Sequence, residues 1–375
     1  MNVLHIITGL DDGGAEAVLY HLICNDSSNC HQVVSLGGNG KYGNLLLDTG
    51  IPVLPLNLHH FTSYPYVLFQ LFYLIRSFEP DVIQSWMYHA NLFSLFVGAI
   101  FRIPTCAGIH NSTLHPSCTS FTTIAIARAC GLLSWLFPQP IIICASSSAK
   151  LHSSYGYNPS SMIVIPNGYD VTKFSPNATF RAELRSSLCL PDGIPVLGIV
   201  ARFDPCKDHA NVFDALSLLL TFGFDFRVLV VGNHITEQNH ELLGLLDSKQ
   251  LCLRCLFLGQ RSDIPSIMNV IDLLILSSYS EAFPNVLAES MACGTPCVTT
   301  DVGDASKIVG NTGWIVPPRS SKLLAFAIRD ALIQLSSYDS WLVRKANCRK
   351  RITTNYSLHR MIQSYNDVWR SARLK

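Results

Sequence analysis

Short apolar runs alternate with longer stretches of helical spacing along the first half of the chain. The runs are rich in Val, Ile and Leu, which is typical of buried strands. The predicted strands are Val3–Thr8, Gln32–Leu36, Val53–Leu56, Val82–Gln84, Thr105–Ile109, Ile141–Ala145 and Met162–Ile165. The stretches between them predict helices at Ala15–Cys24, Tyr66–Phe78, Ala90–Phe101 and Phe121–Phe137. Strands that alternate with helices in this way indicate a parallel sheet covered by helices.

A second series of the same kind begins near Val196. Its predicted strands are Val196–Ala201, Phe226–Val231, Cys255–Leu258, Leu273–Ser277, Pro296–Thr299 and Trp314–Val316. Its predicted helices are Asp208–Thr221, Ile264–Asn269, Val286–Ala292 and Ser321–Leu335. Because 375 residues are too many for one typical core, two Rossmann-like domains that face each other across a cleft are expected. The fold class is therefore α/β, with one domain over residues 1–166 and the other over 167–355.

Composition narrows the class of protein. The net charge of +1 excludes a generally basic nucleic-acid-binding protein. No run reaches about 18 uninterrupted apolar residues, and Met1–Thr8 has the pattern of a strand rather than of a secretory leader. We therefore expect a cytoplasmic protein.

The charge is distributed unevenly. Residues 344–375 hold nine basic residues and one acidic residue, whereas residues 1–165 hold only five basic and seven acidic residues. The charge-poor first half, its aromatic run Phe61–Phe101 and the basic tail together favour peripheral contact with an anionic inner-leaflet membrane surface. The alternative is that the aromatic residues belong to the core and that the tail is merely a solvated face.

Two glutamates stand eight positions apart in the segment Ser280–Pro296. Glu281 follows a predicted strand and can accept hydrogen bonds from sugar hydroxyls, while Glu289 can accept both hydroxyls of a ribose diol. The turn between them opens a helix, whose free amides suit a phosphate group. The residues expected to supply this turn are Phe283, Pro284, Asn285, Val286 and Leu287. The alternative is an ordinary turn with two solvated glutamates.

Two cations lie five positions apart after the first strand of the second series. Arg202 and Lys207 occupy a loop at a strand end, where open α/β sheets bind ligands. Such cations can bind a diphosphate and stabilise the negative charge that develops when it departs. The alternative is a surface ion pair with Asp204 or Asp208.

The Glu-x7-Glu spacing ending in Met291-Ala-Cys-Gly-Thr-Pro296, together with Arg202 and Lys207, resembles the nucleotide-sugar site of retaining glycosyltransferases of family 4. These enzymes have the GT-B fold, with two Rossmann-like domains. The resemblance implies that the first domain binds the acceptor and the second the nucleotide sugar. It also implies that a final helix, at about 356–375, packs back on the first domain.

The resemblance assigns further residues. Gly13 and Gly14 match the first glycine-rich loop of the family, which reaches the donor phosphate. His89 resembles the histidine that lies near the transferred sugar, although a lone histidine is more often structural. Arg261 and Ile264 lie in the segment whose backbone meets the base in the family. Arg202, Lys207, Glu281 and His89 are thus the expected catalytic residues.

The activity implied is transfer of a sugar from a nucleotide sugar to a glycan or lipid-diphosphate-linked acceptor, in the assembly of a surface polysaccharide. The chain has no Asp-x-Asp or His-x-His pair. Since Arg202 and Lys207 can replace a metal cation, we expect no metal and no cofactor. Two alternatives stay open at this point, namely a nucleotide-sugar 2-epimerase of the same fold and a non-catalytic nucleotide-sugar-binding protein.

Overall fold

A computed structural model describes residues 1–58, 64–111, 114, 119–247 and 251–374 of the chain, without the side chains of residues 64–68. The contacts divide the chain into two compact units. The first comprises Met1–Gly168 and Leu358–Lys375, and the second comprises Tyr169–Ser357. The first unit is therefore discontinuous in sequence.

The first unit contains a parallel sheet in the order β3-β2-β1-β4-β5-β6-β7. Its strands are β1 (Asn2–Ile7), β2 (Cys30–Ser35), β3 (Val53–Pro55), β4 (Val82–Trp86), β5 (Thr105–Ile109), β6 (Ile141–Ile143) and β7 (Met162–Val164). Its helices are α1 (Gly14–Asn25), α2 (Gly40–Asp48), α3 (Tyr64–Phe78), α4 (Tyr88–Phe101), α5 (Phe121–Leu136), α6 (Ser146–Ser154) and, from the end of the chain, α15 (Leu358–Arg373).

Alternate residues of the central strands point to opposite faces of this sheet, as strand geometry requires. Val3 and Ile7 pack in one cluster with α1 and α15. Leu4 and Ile6 pack in another cluster with α3 and α4. The helices α3 and α4 therefore cover the face opposite to α1 and α15. Among the described residues, no helix is long and apolar enough to cross a bilayer.

Helix α15 completes the core of the first unit. Its buried residues recur at the spacing of one helical face and include Met361, Tyr365 and Trp369. The Trp369 ring is fully buried, and its Nε1 donates to Oε1 of Gln84 in β4 at 3.0 Å. The Tyr365 ring stacks on Trp86 with 5.8 Å between centroids. A helix from the end of the chain thus fills one face of the sheet.

A buried network of hydrogen-bonded side chains lies beneath the same helix. The Trp86 indole can only donate, so its 3.2 Å contact makes Nδ1 of His5 an acceptor. Nε2 of His5 then donates to Nδ1 of His31 at 3.0 Å, which leaves Nε2 of His31 facing the Asp26 carboxylate at 3.3 Å. Burial holds the pKa of His5 well below its ordinary value. A neutral His5 thus accepts a hydrogen bond at Nδ1 and donates one at Nε2.

The second unit contains a parallel sheet in the order β10-β9-β8-β11-β12-β13. Its strands are β8 (Val196–Val200), β9 (Arg227–Val231), β10 (Cys255–Phe257), β11 (Leu273–Leu276), β12 (Cys297–Thr300) and β13 (Trp314–Val316). Its helices are α7 (Ala178–Ser187), α8 (His209–Thr221), α9 (His240–Asp247), α10 (Ile264–Val270), α11 (Asn285–Ala292), α12 (Ala305–Val309), α13 (Ser321–Leu335) and α14 (Tyr338–Asn355). Helices α8, α9 and α13 pack in one cluster with β8 and β9.

All the predicted strands are confirmed, with ends that differ by at most two residues. Several helices were not predicted, and α14 shows why. Its 18 residues are mostly polar, and it buries only Trp341, Cys348 and Ile352. A spacing of seven and then four residues gives too few apolar positions for a periodic pattern to be recognised.

Two arginines of α14 are held by the second unit itself. Arg349 donates to the backbone carbonyls of Ala292, Phe174 and Val171. Arg351 donates to the carbonyls of Ile308 and Lys307 at the end of α12. The expected basic tail is therefore split between the two units, and part of its charge is bound to backbone oxygens.

We predict that Trp369→Ala lowers the free energy of unfolding of the first unit by about 3–5 kcal/mol, because it removes a large buried ring and the partner of Gln84. Denaturant unfolding, followed by tryptophan fluorescence and circular dichroism, measures the change. Arg370→Ala is the matched control, because the Arg370 side chain is 64% exposed and should contribute about 0.5 kcal/mol or less. Equal midpoints for the two variants would contradict the assigned packing of α15.

Candidate functional site

Three predicted site residues of the second unit, Arg202, Lys207 and Glu281, lie where the strand order reverses. β8 pairs with β9 on one side and with β11 on the other. The connection after β8 therefore leads towards one edge of the sheet, and the connection after β11 leads towards the other edge. The crevice outside the carboxyl ends of such strands is the usual ligand site of an open α/β sheet. The loop after β8 carries Arg202 and Lys207, and the loop after β11 carries Glu281.

The structure brings Lys207 and Glu281 into direct contact. Nζ of Lys207 lies 2.5 Å from Oε1 of Glu281, and both side chains are largely buried. Oγ of Ser278 donates to the same carboxylate oxygen at 2.7 Å. Among the described residues these contacts all fall on Oε1, so Oε2 is left to accept a hydrogen bond from a ligand. Lys207 keeps two further ammonium donors.

Backbone contacts hold the two loops together. Oγ of Ser277 donates to the carbonyl of Lys207 at 2.8 Å, and the amide of Tyr279 donates to the carbonyl of Cys206 at 3.0 Å. Gly303 has φ +58°, and a Cβ there would lie 2.3 Å from the carbonyl oxygen of Ala282. Only glycine fits this approach. Ser277, Ser278 and Gly303 were not predicted, because each acts through one contact that leaves no spacing pattern in the sequence.

Arg202 does not reach the Glu281 carboxylate. Its Nε donates to Oδ2 of Asp204 at 3.2 Å, and the side chain is 66% exposed. Asp204 also accepts from the amide of Cys206 at 2.9 Å, which begins a 3-10 turn over Pro205–Lys207. The surface ion pair with Asp204, considered from the sequence, is therefore present. Arg202 and Lys207 share a loop but bind separate acids.

Helix α11 begins at Asn285, one residue before the predicted start at Val286. Pro284 is the N-cap with an extended backbone, so Phe283 and Pro284 precede the helix. The first N–H groups of the helix have no acceptor within it, and the amide of Leu287 donates to the carbonyl of Pro284. Val286 lies in this first turn. The amide-rich end of α11 therefore follows Glu281 directly in the chain.

Tyr169 fixes the start of this helix and was not predicted as a site residue. Its hydroxyl donates to Oδ1 of Asn285 at 2.6 Å. Its ring stacks on Phe283 at 6.5 Å between centroids, and Phe283 also contacts Tyr356 at 5.7 Å. The Asn285 side chain is thus oriented by a residue more than a hundred positions away, which sequence spacing cannot show.

Glu289 is in the second turn of α11 and is partly buried. Burial raises the pKa of its carboxyl group from 4.5 to about 7, against a smaller opposing effect of the Lys173 charge. No described residue donates a hydrogen bond to this carboxylate. A ligand that supplied hydroxyl donors would therefore stabilise its ionised form.

Arg261 and Ile264 lie after the edge strand β10, with β9 between them and β8. Arg261 binds Asp263 in a two-pronged ion pair, with Nε and Nη2 each 2.7 Å from a carboxylate oxygen. Ile264 is the first residue of α10. The Arg261 guanidinium is therefore oriented within its own loop.

The remaining predicted residues belong to the first unit. Gly13 is the N-cap of α1, and a Cβ there would come within 2.3 Å of the Glu16 carboxylate. Gly14 is the first residue of α1 and faces open space. His89 is the second residue of α4, and burial lowers its pKa. His89 is therefore mostly neutral at pH 7 and able both to donate and to accept.

In the part of the chain that the structure describes, no three His, Cys, Asp or Glu side chains are grouped so that they could hold a metal ion.

Two family models match the chain. The model described as Glycosyltransferase Family 4 matches residues 12–173, and the model described as Glycosyl transferases group 1 matches residues 194–334. Together they span most of both units. The chain belongs to the family 4 glycosyltransferases, which have the GT-B fold.

Similar proteins agree with this assignment. The chain is 31% identical to the D-inositol 3-phosphate glycosyltransferase of Rhodococcus erythropolis over 175 residues, which are 44% of this chain and 39% of that protein. It is 24% identical to the UDP-Gal:alpha-D-GlcNAc-diphosphoundecaprenol alpha-1,3-galactosyltransferase of Escherichia coli, over 56% of this chain and 54% of that protein. The alignments thus span about half or less of these relatives' length.

Solved structures resemble the whole chain. The crystal structure of Anabaena HepE in complex with UDP has a TM-score of 0.86 and 23% identity, and covers 99% of this chain and 100% of that one. WaaG, a glycosyltransferase involved in lipopolysaccharide biosynthesis, has a TM-score of 0.70 and 14% identity, over 98% of this chain and 99% of that one. At these identities the likeness establishes the fold.

We predict that Glu289→Gln stabilises the ligand-free protein at alkaline pH. The pKa of Glu289 is raised from 4.5 to about 7 in the folded state, so ionising it costs stability as pH rises from 4.5 to 7. The variant should exceed the wild type by about 1–3 kcal/mol at pH 8 and by much less at pH 5. Denaturant titrations at both pH values measure this, with the exposed Glu183→Gln as control. An equal difference at the two pH values would rule out the proposed titration.

Proposed function

We propose that the protein is a retaining glycosyltransferase that moves a sugar from a nucleotide sugar to a glycan or lipid-diphosphate-linked acceptor. One observation carries the proposal: the contact between Lys207 and Glu281, at the reversal of strand order and next to the start of α11. It combines a cation for phosphate, a carboxylate for hydroxyls and the amino end of a helix within adjacent segments.

Each residue then has a role in the donor complex. The ammonium group of Lys207, anchored by Glu281, and the exposed guanidinium of Arg202 bind the diphosphate and stabilise its charge as it departs. Oε2 of Glu281 accepts a sugar hydroxyl. Glu289 accepts the two hydroxyls of the ribose, and the donors that they supply return its carboxyl to the ionised form.

The first turn of α11 positions the transferred sugar or its phosphate through the amides around Phe283–Leu287. In this proposal the backbone near Arg261 and Ile264 meets the base. The first unit binds the acceptor, with Gly13 and Gly14 near the donor phosphate and His89 near the transferred sugar.

The reaction proceeds at the front face of the sugar in this proposal. The acceptor hydroxyl forms its bond to the anomeric carbon on the side from which the diphosphate leaves, and the leaving phosphate oxygen takes the hydroxyl proton. A covalent route through Glu281 is less favourable, because Lys207 and Ser278 both hold its Oε1 and stabilise its negative charge. No metal is required, since the two cations replace it.

The names of similar proteins guide the choice of substrates. Anabaena HepE was crystallised with UDP and with UDP-glucose, and the E. coli relative is named for a UDP-galactose donor and a diphosphoundecaprenol-linked acceptor. A uridine diphosphate hexose is therefore the first donor to test, with a lipid-diphosphate-linked sugar as acceptor. These substrates suggest a place in the assembly of a surface polysaccharide.

We predict that Lys207→Ala lowers kcat about 10²–10³-fold while nucleotide binding weakens less, because Lys207 acts most strongly on charge formed in the transition state. Release of nucleoside diphosphate from a panel of nucleotide sugars, with and without acceptor and with EDTA present, measures turnover. Lys322→Ala, at an exposed lysine of α13, is the matched control and should keep wild-type rates.

The same assay separates the alternatives. An epimerase would change the sugar of the donor without any acceptor. A non-catalytic binding protein would bind the donor but release no diphosphate. Loss of activity on treatment with EDTA, restored by a divalent cation, would contradict the metal-free mechanism.

We also propose that the first unit contacts the cytoplasmic face of the inner membrane, through the outer surfaces of α3, α4 and α5. These helices contain two arginines and no Asp or Glu. Eight of their large apolar side chains are more than half exposed, namely Phe69, Tyr73, Phe96, Ile100, Phe121, Leu132, Trp135 and Leu136. Such a face suits a bilayer with anionic headgroups. Of the aromatic run expected from the sequence, residues 61–63 lie outside the described residues.

We predict that the triple variant Leu132→Ser, Trp135→Ser and Leu136→Ser reduces binding to anionic vesicles at least about 10-fold, because it removes exposed apolar area. Co-sedimentation with phosphatidylglycerol-containing vesicles measures binding. Leu253→Ser is the control, since Leu253 is 96% exposed but belongs to the second unit. Wild-type protein that stays in the supernatant with all vesicles would exclude the membrane proposal.

A further inference from the structure

A polar groove lies in the second unit, away from the candidate donor site. It has a volume of about 420 Å³ and is formed by the end of α13, by α14 and by Asn311 and Thr312, which precede β13. These residues stand at the amino end of β13, whereas Lys207 and Glu281 follow the carboxyl ends of β8 and β11. Because the strands are parallel, the groove and the donor site lie at opposite ends of the strands.

The groove is lined by cations without acids. Arg344, Lys350 and Arg351 contribute its charge, and no Asp or Glu lines it. Apart from Val343, the other lining residues carry amides or hydroxyls. Three like charges around one cavity repel each other, so a bound anion would lower the electrostatic energy of the protein.

Arg344 is held in place with most of its donors unused. Its guanidinium lies 4.3 Å from the centre of the Trp314 ring, and its Nε donates to Oε1 of Gln334 at 2.6 Å. Arginine has five N–H donors, so four remain. Burial lowers the pKa of Arg344, which indicates that the surrounding groups do not fully compensate its charge.

The Arg351 side chain is also held in a fixed position. Its Nε donates to the carbonyl of Ile308 at 2.7 Å and its Nη2 to the carbonyl of Lys307 at 2.5 Å. Gly310 makes this position possible, because a Cβ there would lie 2.6 Å from Cζ of Arg351. The neighbouring Lys350 is exposed, and no described residue forms an ion pair or a hydrogen bond with its ammonium group. Two oriented guanidinium groups and one exposed lysine therefore line the same groove.

We propose that the groove lined by Arg344, Lys350 and Arg351 is a second anion-binding site, which takes a phosphate group. Planar guanidinium groups match the paired oxygens of a phosphate, and a lysine adds a point charge. The groove is larger than a bare ion and has amide and hydroxyl groups for a polar substituent. The phosphate could belong to a small phosphorylated molecule or to the headgroup of an anionic lipid. The site does not depend on the proposed transferase activity.

Titration calorimetry of the full chain with inorganic phosphate tests the proposal, at constant ionic strength and with chloride as the competing anion. Lys350→Ala and the double variant Lys350→Ala/Arg344→Gln should weaken binding about 10-fold or more, since each removes charge-assisted hydrogen bonds. Lys350→Arg should retain it. Lys322→Ala, at another exposed lysine of the same unit, should bind as the wild type does.

Phosphate bound at the donor site would behave differently, because Lys207→Ala would then abolish it and Lys350→Ala would not. Vesicles distinguish the two sources of phosphate. If Lys350→Ala weakens binding to phosphatidylglycerol vesicles over phosphatidylcholine vesicles, the ligand is a lipid headgroup. If it affects only inorganic phosphate, the ligand is a soluble phosphorylated molecule. Binding of both probes that is unchanged in the Lys350 and double variants, or no binding of either probe, would overturn the proposal.

Discussion

The pairing of β8 with β11 is the constraint on which the candidate site depends. The two strands are separated by β9 and β10 in the sequence but are adjacent in the sheet, so the loops that follow them emerge side by side. Asp272 secures the start of this pairing. Its backbone amide donates to the carbonyl of Val196, and its carboxylate accepts from the amide of Val196 and from Arg181. At the other end, the contact of Lys207 with Glu281 closes the same pair of loops.

A close approach allows this pairing. Gly198 in β8 leaves room for the side chain of Ile271, because a Cβ at Gly198 would lie 2.6 Å from one of its methyl groups. A larger residue would push the chain entering β11 away from β8. Contacts at both ends of β8 and β11 therefore determine the distance between Lys207 and Glu281. The chemistry of the site thus follows from the packing of the sheet.

Much of the fold could be predicted from the sequence, because buried parallel strands are continuous apolar runs. Each strand in the described part of the chain was predicted in this way, and so was the α/β class. The site was less accessible. Lys207 and Glu281 have a recognisable spacing within their own loops, but their contact spans 74 positions and depends on strand order. Tyr169 acts through a hydrogen bond and a ring contact, and Ser278 through a hydrogen bond, and the sequence contains no pattern for such contacts.

Net charge proved a poor guide to where charge is available. The nine basic residues near the end of the chain suggested one basic surface. Instead, Arg349 and Arg351 bind backbone carbonyls at helix ends and turns, and Arg373 pairs with Asp81 in the first unit. A carbonyl cluster at the end of a helix carries partial negative charge, so it can accept hydrogen bonds from arginine in place of a carboxylate. Counting the acidic residues in the sequence does not reveal these carbonyl partners.

The place of α15 in the first unit has a consequence for biosynthesis. The face of the sheet that contains Gln84 and Trp86 is closed by Tyr365 and Trp369, which are translated only after the whole second unit. The ribosome must first add all of Tyr169–Ser357, which takes on the order of 10–40 s. During that time the second unit can fold on the emerging chain, while the nascent first unit exposes an apolar surface. Chaperones or fast release from the ribosome would then protect this protein from aggregation at a stage that the finished structure no longer shows.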